Sequence, residues 1–288
     1  MKLSIIVIPV FKTIPDWNEK ISFNQCLKIL FKHPMCIITY KDLDISYYID
    51  LFVKAQIKYT VKYFDKSYYE SLPAYNQLML SINFYEKFKS YDYMLIYQLD
   101  AYVFRDELEY WCEQGYDYIG APWFDDESRK SHNLINPKFI GVGNGGFSLR
   151  KIKSQLKVLN SLCYIVPVKS LIKGYLLKCK NQSVRSILID TTNLLKDLTI
   201  KNNTFYIFNN YIDNEDVFWG EFCKSKFTWY SIPTFETAFK FSFEILPEYL
   251  YKMNNNKLAF GCHRWHIEPY LSFWNKHIET ASQTKDTL

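Results

Sequence analysis

The stretch YDYMLIYQLDAYVF, residues 91–104, predicts a buried strand that ends on a charged residue. Its apolar run, residues 94–97, is rich in strand-forming side chains. Asp100 follows, and a second apolar segment begins directly after it. A carboxylate between two buried segments is costly unless it lies at the carboxyl end of the strand and faces a cleft, which is where open α/β sheets bind ligands. A carboxylate there can hold a divalent cation that carries phosphate, although a turn or helix-capping aspartate is an equally good interpretation of these residues alone.

Outward from this stretch, predicted strands and helices alternate. Their positions are strands at 3–9, 36–40, 58–64 and 118–123 and helices at 21–31, 76–88 and 106–111. The alternation predicts an α/β fold with a mainly parallel sheet. We expect one domain over residues 1–280, followed by a polar tail at 281–288. Neither a GxGxxG after the first strand nor a Walker A motif occurs, which excludes the common dinucleotide-binding and P-loop classes.

Composition indicates a globular protein with one sizeable core. The chain has 288 residues, 48% of them hydrophobic, and its net charge of +5 is too mild to indicate a nucleic-acid partner. Seven cysteines show no CxxC pair and no metal-finger spacing, so we expect reduced thiols in a cytoplasmic protein. The apolar start ends in Pro9 without a small-residue cleavage site and is interpreted as a strand, not a signal peptide.

A basic segment at about 152–205 differs in character from the rest. Residues 150–201 contain eleven lysines and arginines against two aspartates, a net charge of +9, with leucines and isoleucines interleaved. Such a basic amphipathic excursion can lie on an anionic membrane surface. Solvated helices packed on their own domain are the alternative.

Three further motifs carry polar or flexible residues. GVGNGGFSLR, residues 141–150, holds four of the nine glycines, which indicates backbone that takes positive φ or lets another group approach closely. NEDVFW, residues 214–219, places Glu215 and Asp216 at a helix start, where acids are favoured. FGCHRW, residues 260–265, brings His263 next to Arg264, and a cation there suits a phosphate group.

The order of these motifs resembles that of GT-A glycosyltransferases, which have a DxD motif, a glycine loop, an xED motif and a C-terminal histidine. More closely, the chain resembles a bacterial family of uncharacterised GT-A-like proteins. The matching segments are SLPAYNQLML (71–80), YMLIYQLDAYVF (93–104), GYDYIGAPW (115–123), VGNGGFSLRK (142–151), NEDVFW (214–219), FKFSFE (239–244) and FGCHRW (260–265). The resemblance implies a Rossmann-like GT-A domain with a mixed, mainly parallel sheet flanked by helices.

The resemblance also implies a donor and metal site. Asp100 matches the last acid of DxD and His263 the C-terminal histidine, and together they would hold Mn²⁺ or Mg²⁺ with the diphosphate. Gln98 stands where the family's first acid would be, and its side chain can supply a carbonyl oxygen but no charge. The residues expected to bind the donor are Pro9, Val10, Asn76, Gln98, Asp100, Gly145, Gly146 and Arg264.

The remaining matches concern catalysis and the acceptor. Asp216 matches the acid that acts as catalytic base in inverting GT-A enzymes, and Glu215 would bind the hydroxyls of the acceptor. The residues expected to contact the acceptor are Trp123, Asn144, Trp219 and Trp265, the tryptophans by stacking on a sugar ring.

These matches predict a metal-dependent glycosyltransferase that uses a nucleotide-diphosphate sugar, with UDP as the expected nucleotide. The expected acceptor is a glycan or lipid-linked glycan of bacterial surface polysaccharide synthesis, reached at the cytoplasmic face of the membrane. A nucleotidyltransferase would share the sheet and the metal, but it normally has a glycine loop near the first strand, and no glycine occurs between Met1 and Tyr110. A non-catalytic carbohydrate-binding or scaffold protein would explain the tryptophans and Gln98.

Overall fold

Strands and helices alternate through the first half of the chain, as the sequence predicts. The computed structural model describes residues 3–125, 127–128, 137–161, 168–179, 182–196, 198 and 214–278. The strands are β1 Ser4–Pro9, β2 Met35–Thr39, β3 Tyr59–Tyr63, β4 Tyr93–Tyr97, β5 Ala101–Val103, β6 Tyr118–Ile119, β7 Ala121–Phe124, β8 Phe139–Gly143, β9 Phe147–Lys151, β10 Ser242–Phe243 and β11 Gly261–His263.

The helices flank these strands. They are α1 Trp17–Ile29, α2 Ser46–Lys54, α3 Leu72–Met79, α4 Ile82–Glu86, α5 Leu108–Glu113, α6 Ile152–Leu159, α7 Val168–Cys179, α8 Val184–Lys196, α9 Glu215–Val217, α10 Cys223–Lys226, α11 Phe235–Phe241, α12 Pro247–Met253 and α13 Leu271–Trp274. A 3-10 helix spans Lys66–Tyr69, and a π-helical turn at Phe218–Phe222 joins α9 to α10. None of the helices in the described part of the chain has the length and apolar character needed to cross a membrane.

The central sheet has six strands in the order β3-β2-β1-β4-β9-β6. β1, β2, β3 and β4 run parallel, whereas β9 is antiparallel to both β4 and β6. A three-stranded sheet, β10-β11-β5, and a two-stranded sheet, β7-β8, lie beside it. This confirms the predicted fold class: a mixed, mainly parallel α/β sheet flanked by helices in a single domain.

Both faces of the central sheet are covered, because its strands alternate between two cores. In β1, Ile6 and Ile8 belong to one buried cluster, whereas Ile5 and Val7 belong to the other. β4 alternates in the same way. Since successive side chains of a strand point to opposite faces, a continuous apolar run is the pattern expected for a strand that is buried on both sides.

Two predicted elements are divided in the structure. The helix predicted over 76–88 is two helices, α3 and α4, because the Ser81 side chain accepts a hydrogen bond from the Phe84 N–H and begins a new helix. The stretch 91–104 forms two strands in different sheets, β4 and β5, and residues 98–100 turn between them. This division leaves Asp100 at the carboxyl end of β4, as predicted.

The basic excursion begins later than predicted. α6 packs against the domain, with Ile152, Val158 and Leu159 buried. α7 and α8 differ, because no residue of either helix is buried. Residues 162–167, 180–181, 197 and 199–205 of the predicted excursion, and the predicted tail at 281–288, lie outside the described residues.

Candidate functional site

Strand register brings the separated motifs to one edge of the sheet. β11 pairs antiparallel with β5, and this register sets His263 opposite Ala101, the residue after Asp100. The Arg264 N–H donates to the Asp100 carbonyl at 2.9 Å. β10 pairs parallel with β11, so that Glu244, one residue beyond β10, lies beside His263. Asp100, Glu244 and His263, far apart in sequence, therefore form one cluster.

The His263 imidazole lies between two carboxylates. Its Nε2 is 3.0 Å from Asp100 Oδ1, and its Nδ1 is 3.1 Å from Glu244 Oε1. Burial by itself lowers the pKa of His263, but the Asp100 and Glu244 carboxylates outweigh this effect and raise that pKa to about 10. Burial likewise raises the pKa of Asp100, but the charge and hydrogen bond of His263 bring it below its ordinary value. Without a bound metal ion the histidine is therefore an imidazolium at neutral pH, and a cation that binds Nε2 has to displace the proton of that nitrogen.

The glycine loop runs against this cluster because two of its glycines leave room for other side chains. A Cβ built on Gly146 would lie 2.1 Å from His263 Nε2, and one on Gly145 would lie 2.6 Å from Glu215 Oε1. The Gln98 N–H donates to the Gly146 carbonyl at 2.8 Å, which ties the loop to the turn before Asp100. Close approach is thus the reason for glycine at both positions.

Asp216 holds the same loop from the other side. Its Oδ2 accepts hydrogen bonds from the backbone N–H groups of Asn144 (3.1 Å) and Gly145 (3.0 Å). Burial and the Glu215 and Glu244 carboxylates raise the pKa of Asp216 to about 7, even though these two backbone donors favour the charged form. A carboxyl with this pKa can exchange a proton near neutral pH.

Glu215 faces the interior, which corrects the prediction that it binds an acceptor. Its Oε1 accepts a hydrogen bond from the Arg150 guanidinium at 2.8 Å, and both side chains are almost fully buried. Arg150 also donates to Ser148 Oγ and to the Gly145 carbonyl. The buried Arg150–Glu215 ion pair therefore holds the glycine loop in place from its interior side.

A cleft of about 480 Å³ opens in front of Asp100. Pro9 and Gln98, two of the residues expected to bind the donor, line this cleft. Other lining residues are the cation Lys12, the acids Asp16, Glu19 and Glu70, the rings Tyr69, Tyr75 and His266, and Phe11, Asn18, Ser71, Leu72 and Leu99. Lys12 is already paired, because its Nζ donates to Asp16 at 2.5 Å and to Glu19 at 3.0 Å.

Five residues predicted to contact a ligand have other roles in the structure. Val10, Trp219 and Trp265 have no exposed surface and belong to the hydrophobic core, so none of these side chains can reach a ligand. Asn144 is also fully buried; its Oδ1 accepts from the N–H groups of residues 146 and 147, and its Nδ2 donates to a serine hydroxyl of β10. Asn76 donates to the Asn214 side chain at 3.2 Å and anchors the segment before the acidic pair.

Two of the predicted contact residues remain accessible. Trp123 is half-buried, and its ring lies against Gly143, where a Cβ would fall 1.9 Å from Cζ2. Arg264 is exposed and adjoins Asp100 through its backbone hydrogen bond. Both therefore remain candidates for ligand contact beside the glycine loop and the Asp100 cluster.

Sequence reasoning missed Glu244 and Arg150. Each is a charged residue at the end of a short apolar strand, in FSFE and FSLR. A charge next to apolar strand-forming residues is the signal that also marks Asp100, and it is present at Glu244 and Arg150.

The side chains at this edge fit a divalent cation with two protein ligands. The described residues contain no group of three or more His, Cys, Asp or Glu side chains arranged for a metal. Asp100 and His263 Nε2 nevertheless face one another at 3.0 Å, and Glu244 occupies the other ring nitrogen, the usual partner of a ligating histidine. A carboxylate and an imidazole suffice where phosphate and water complete the coordination of Mg²⁺ or Mn²⁺.

The chain is similar at low identity to three solved structures of sugar-transferring proteins. Core-mannan synthase A from Aspergillus fumigatus, in an Mn/GDP form, is 10% identical with a TM-score of 0.41; the match covers 56% of this chain and 63% of that one, less than two thirds of its length. Mouse xyloside xylosyltransferase 1, apo form, is 10% identical with a TM-score of 0.47 and coverages of 91% and 97%.

The third structure is a glycosyltransferase involved in the glycosylation of the major capsid of PBCV-1, 10% identical with a TM-score of 0.39 and coverages of 96% and 98%. At these values the likeness carries no assignment of function.

No curated protein matches the chain. A family model described as "Protein of unknown function (DUF5672)" matches residues 58–263, well over half of the chain, and includes Asp100, the glycine loop, Asp216 and His263. The chain therefore belongs to this family, DUF5672.

Proposed function

We propose that the chain is a glycosyltransferase that moves a sugar from a nucleotide-diphosphate sugar to a hydroxyl of a glycan or lipid-linked glycan. The observation that carries this proposal is the convergence of Asp100, His263 and Asp216 on the two adjacent glycines, Gly145 and Gly146. The convergence lies at the carboxyl end of β4, next to a cleft large enough for a small ligand. Sugar transfer needs a group that binds the diphosphate and a base for the acceptor, both within reach of one reacting centre.

The charge of the cleft supports a requirement for a divalent cation. Its carboxylates are Asp16, Glu19, Glu70 and Asp100, whereas Lys12 is already bonded to two of them. An anionic diphosphate would be repelled by such a surface in a medium of low dielectric. A Mg²⁺ or Mn²⁺ ion held by Asp100 and His263 would neutralise the departing diphosphate. Gln98 can add a neutral carbonyl oxygen, and Arg264 can contact phosphate.

Asp216 is the proposed catalytic base. It is a carboxylate with a pKa near neutrality that two backbone N–H groups hold in a fixed orientation. In the proposed step its oxygen accepts the proton of the acceptor hydroxyl as that oxygen attacks the sugar carbon, and the nucleoside diphosphate leaves from the opposite face with inversion. Glu215 and Arg150 position the loop, and the negative charge of Glu215 helps to keep the pKa of Asp216 high.

The finer features of the proposal come from the motif resemblance. They are UDP as the nucleotide, Trp123 as a surface for the acceptor sugar, and a cytoplasmic role in bacterial surface polysaccharide synthesis. The accessible ring of Trp123 beside the glycine loop supports the second of these, since apolar sugar faces pack on aromatic rings.

A non-catalytic carbohydrate-binding protein is the second candidate. Two observations favour it: Gln98 replaces one acid of the metal motif, and the two backbone donors give Asp216 a structural role. Asp216→Asn distinguishes the candidates, because it removes the ability to accept a proton at that position and keeps an oxygen for the N–H groups of Asn144 and Gly145. An enzyme should lose turnover and keep donor binding, whereas a binding protein should lose nothing.

The experiment incubates the full chain with a panel of UDP-, GDP- and other nucleotide sugars, with Mn²⁺ or Mg²⁺, and measures release of the nucleoside diphosphate. We expect release from one class of donor, with a loss of roughly 10²- to 10⁴-fold in Asp216→Asn, the range typical of a missing general base. Asp44→Asn, an exposed carboxylate near α2, is the matched control and should retain full turnover. Full turnover in Asp216→Asn would refute the role of the base, and specific sugar binding without any turnover would favour the binding protein.

A further inference from the structure

Helices α7 and α8, residues Val168–Cys179 and Val184–Lys196, form what we call the basic hairpin. The two helices contact each other, and the Tyr175 hydroxyl hydrogen-bonds to Thr191 Oγ1 at 2.6 Å across the contact. Neither helix contains a buried residue. The hairpin thus has a defined internal contact but contributes nothing to the hydrophobic core of the domain.

The hairpin exposes an unusual amount of apolar surface. Of the nineteen large apolar side chains that are exposed in the described part of the chain, seven lie in these two helices, with exposed fractions of 40–75%. They are Ile172, Leu176, Leu177, Val184, Leu188, Ile189 and Leu195. Single exposed apolar residues are normal on a soluble protein, but a concentration of this kind marks a surface that binds something.

In α7 the outward face combines apolar and basic side chains. Ile172, Leu176 and Leu177 fall on the same side of the helix as Lys169 and Lys173, as expected for a period of 3.6 residues, and these five line one shallow groove of about 450 Å³. The residues at 168, 171, 175 and 179 are partly buried and lie towards the opposite side. The exposed leucines are therefore not the side of α7 that packs on α8.

The charge of the hairpin selects the kind of partner. Its described residues carry five basic side chains, Lys169, Lys173, Lys178, Arg185 and Lys196, against the single acid Asp190, a net charge of +4. Leucines surrounded by lysines, whose long apolar stems can lie along the same surface, match the boundary between lipid tails and anionic head groups. With 12 and 13 residues the helices are too short to span a bilayer, which takes about 20 residues.

We propose that the basic hairpin docks the protein peripherally on an anionic lipid surface, with its exposed leucines and isoleucines in the interfacial region and its lysines and arginine at the head groups. This inference does not rest on the glycosyltransferase proposal, because none of its residues belongs to the cleft or to the Asp100 cluster.

The test is co-sedimentation of the full chain with vesicles of phosphatidylcholine alone or of phosphatidylcholine with phosphatidylglycerol. We expect binding to the anionic vesicles, at least tenfold weaker binding to the neutral ones, and weakening by salt. Leu176→Ser/Leu177→Ser should reduce binding to anionic vesicles at least tenfold, and Lys169→Gln/Lys173→Gln should do the same. Val53→Ser, an equally exposed apolar residue outside the hairpin, should bind like the unaltered protein.

Unaltered circular dichroism and melting temperature should accompany both hairpin variants, because the replaced side chains are exposed. The proposal is overturned if the unaltered protein does not sediment with anionic vesicles, or if both hairpin variants bind as well as Val53→Ser. A change of oligomeric state in Leu176→Ser/Leu177→Ser by light scattering, without vesicle binding by the unaltered protein, would also overturn it and assign the surface to a second copy of the chain.

Discussion

The fold holds the pKa of the Asp216 carboxyl near neutrality, so replacing Asp216 by Asn should stabilise the protein while it lowers turnover by roughly 10²- to 10⁴-fold. Burial and the neighbouring Glu215 and Glu244 carboxylates raise its pKa from 3.8 to about 7. Between these two pH values the folded protein holds a proton that the unfolded chain has released. The free energy of unfolding therefore falls as the pH rises from about 4 to about 7 and remains low above that window.

The magnitude follows from the size of the shift. One pKa unit corresponds to about 1.4 kcal/mol, so a shift of roughly three units costs about 4 kcal/mol at about pH 8 but only about 1.5 kcal/mol at about pH 5. The single side-chain oxygen of an asparagine at this position can accept the hydrogen bonds from the Asn144 and Gly145 N–H groups. Its NH2 group then faces the Val217 N–H, which in the unaltered protein donates to Asp216 Oδ1 at 3.0 Å. This loss is about 1 kcal/mol and independent of pH. Asp216→Asn should thus gain about 3 kcal/mol at about pH 8 and under about 1 kcal/mol at about pH 5.

The assay is urea unfolding of both proteins at the two pH values, with free energies extrapolated to zero denaturant. Asp44→Asn is the control, because a hydrogen bond from the Ser46 N–H lowers the pKa of the Asp44 carboxyl. The stabilising contribution of this carboxylate is lost as the pH falls, so Asp44→Asn should show no gain in the free energy of unfolding at the higher pH. The gain in free energy of unfolding from Asp216→Asn should be larger at about pH 8 than at about pH 5. If it is not, burial and the neighbouring carboxylates do not raise the pKa of Asp216 as described. If Asp216 is the proposed base, turnover of the unaltered protein should rise as the pH rises through about 7, because only the ionised carboxylate accepts a proton.

Substitutions at Arg150 and at Gly146 test the contacts that hold the glycine loop in place. Arg150→Met leaves Glu215 buried without its partner and should cost about 3–5 kcal/mol, whereas Arg150→Met/Glu215→Leu should recover most of that loss, as measured by denaturant unfolding; equal stability of the single and double variants would contradict this account. Gly146→Ala places a Cβ 2.1 Å from His263 Nε2 and should lower stability by roughly 1–3 kcal/mol. Gly174→Ala, in a helix with nothing within 4 Å of the new Cβ, should instead raise stability by roughly 0.5–1 kcal/mol. A melting temperature that is unchanged or raised in Gly146→Ala would rule out the close approach at residue 146.

The sheet and the position of Asp100 could be predicted because their signals are local. A run of strand-forming residues followed by a carboxylate identifies both the strand and the end of it, and the regular alternation of such runs with helices gives the fold class. The same reasoning missed the break in the helix predicted over 76–88, because a single serine at position 81 acts as a cap inside an otherwise apolar pattern.

The details of the site could not be predicted because they depend on contacts distant in sequence. Glu215 meets its partner Arg150 from 65 residues away, and His263 meets Asp100 from 163 residues away. A tryptophan has the same apolar ring in a core and in a sugar site, so only the packing shows that Trp219 and Trp265 are buried. The motif order indicated which segments meet, but not which side chains within them face the cleft.

In the proposed function, the cleft beside Asp100 binds a nucleotide-diphosphate sugar through a divalent cation. The most direct test is thermal melting of the full chain against nucleotides and nucleotide sugars, each with and without Mn²⁺, because a ligand that binds only the folded state raises the melting temperature. We predict that one nucleotide series raises it only with Mn²⁺, and that Asp100→Ala abolishes the rise while Asp44→Asn retains it. A rise that needs no metal, or one that persists in Asp100→Ala, would contradict the binding of the nucleotide through a cation at Asp100.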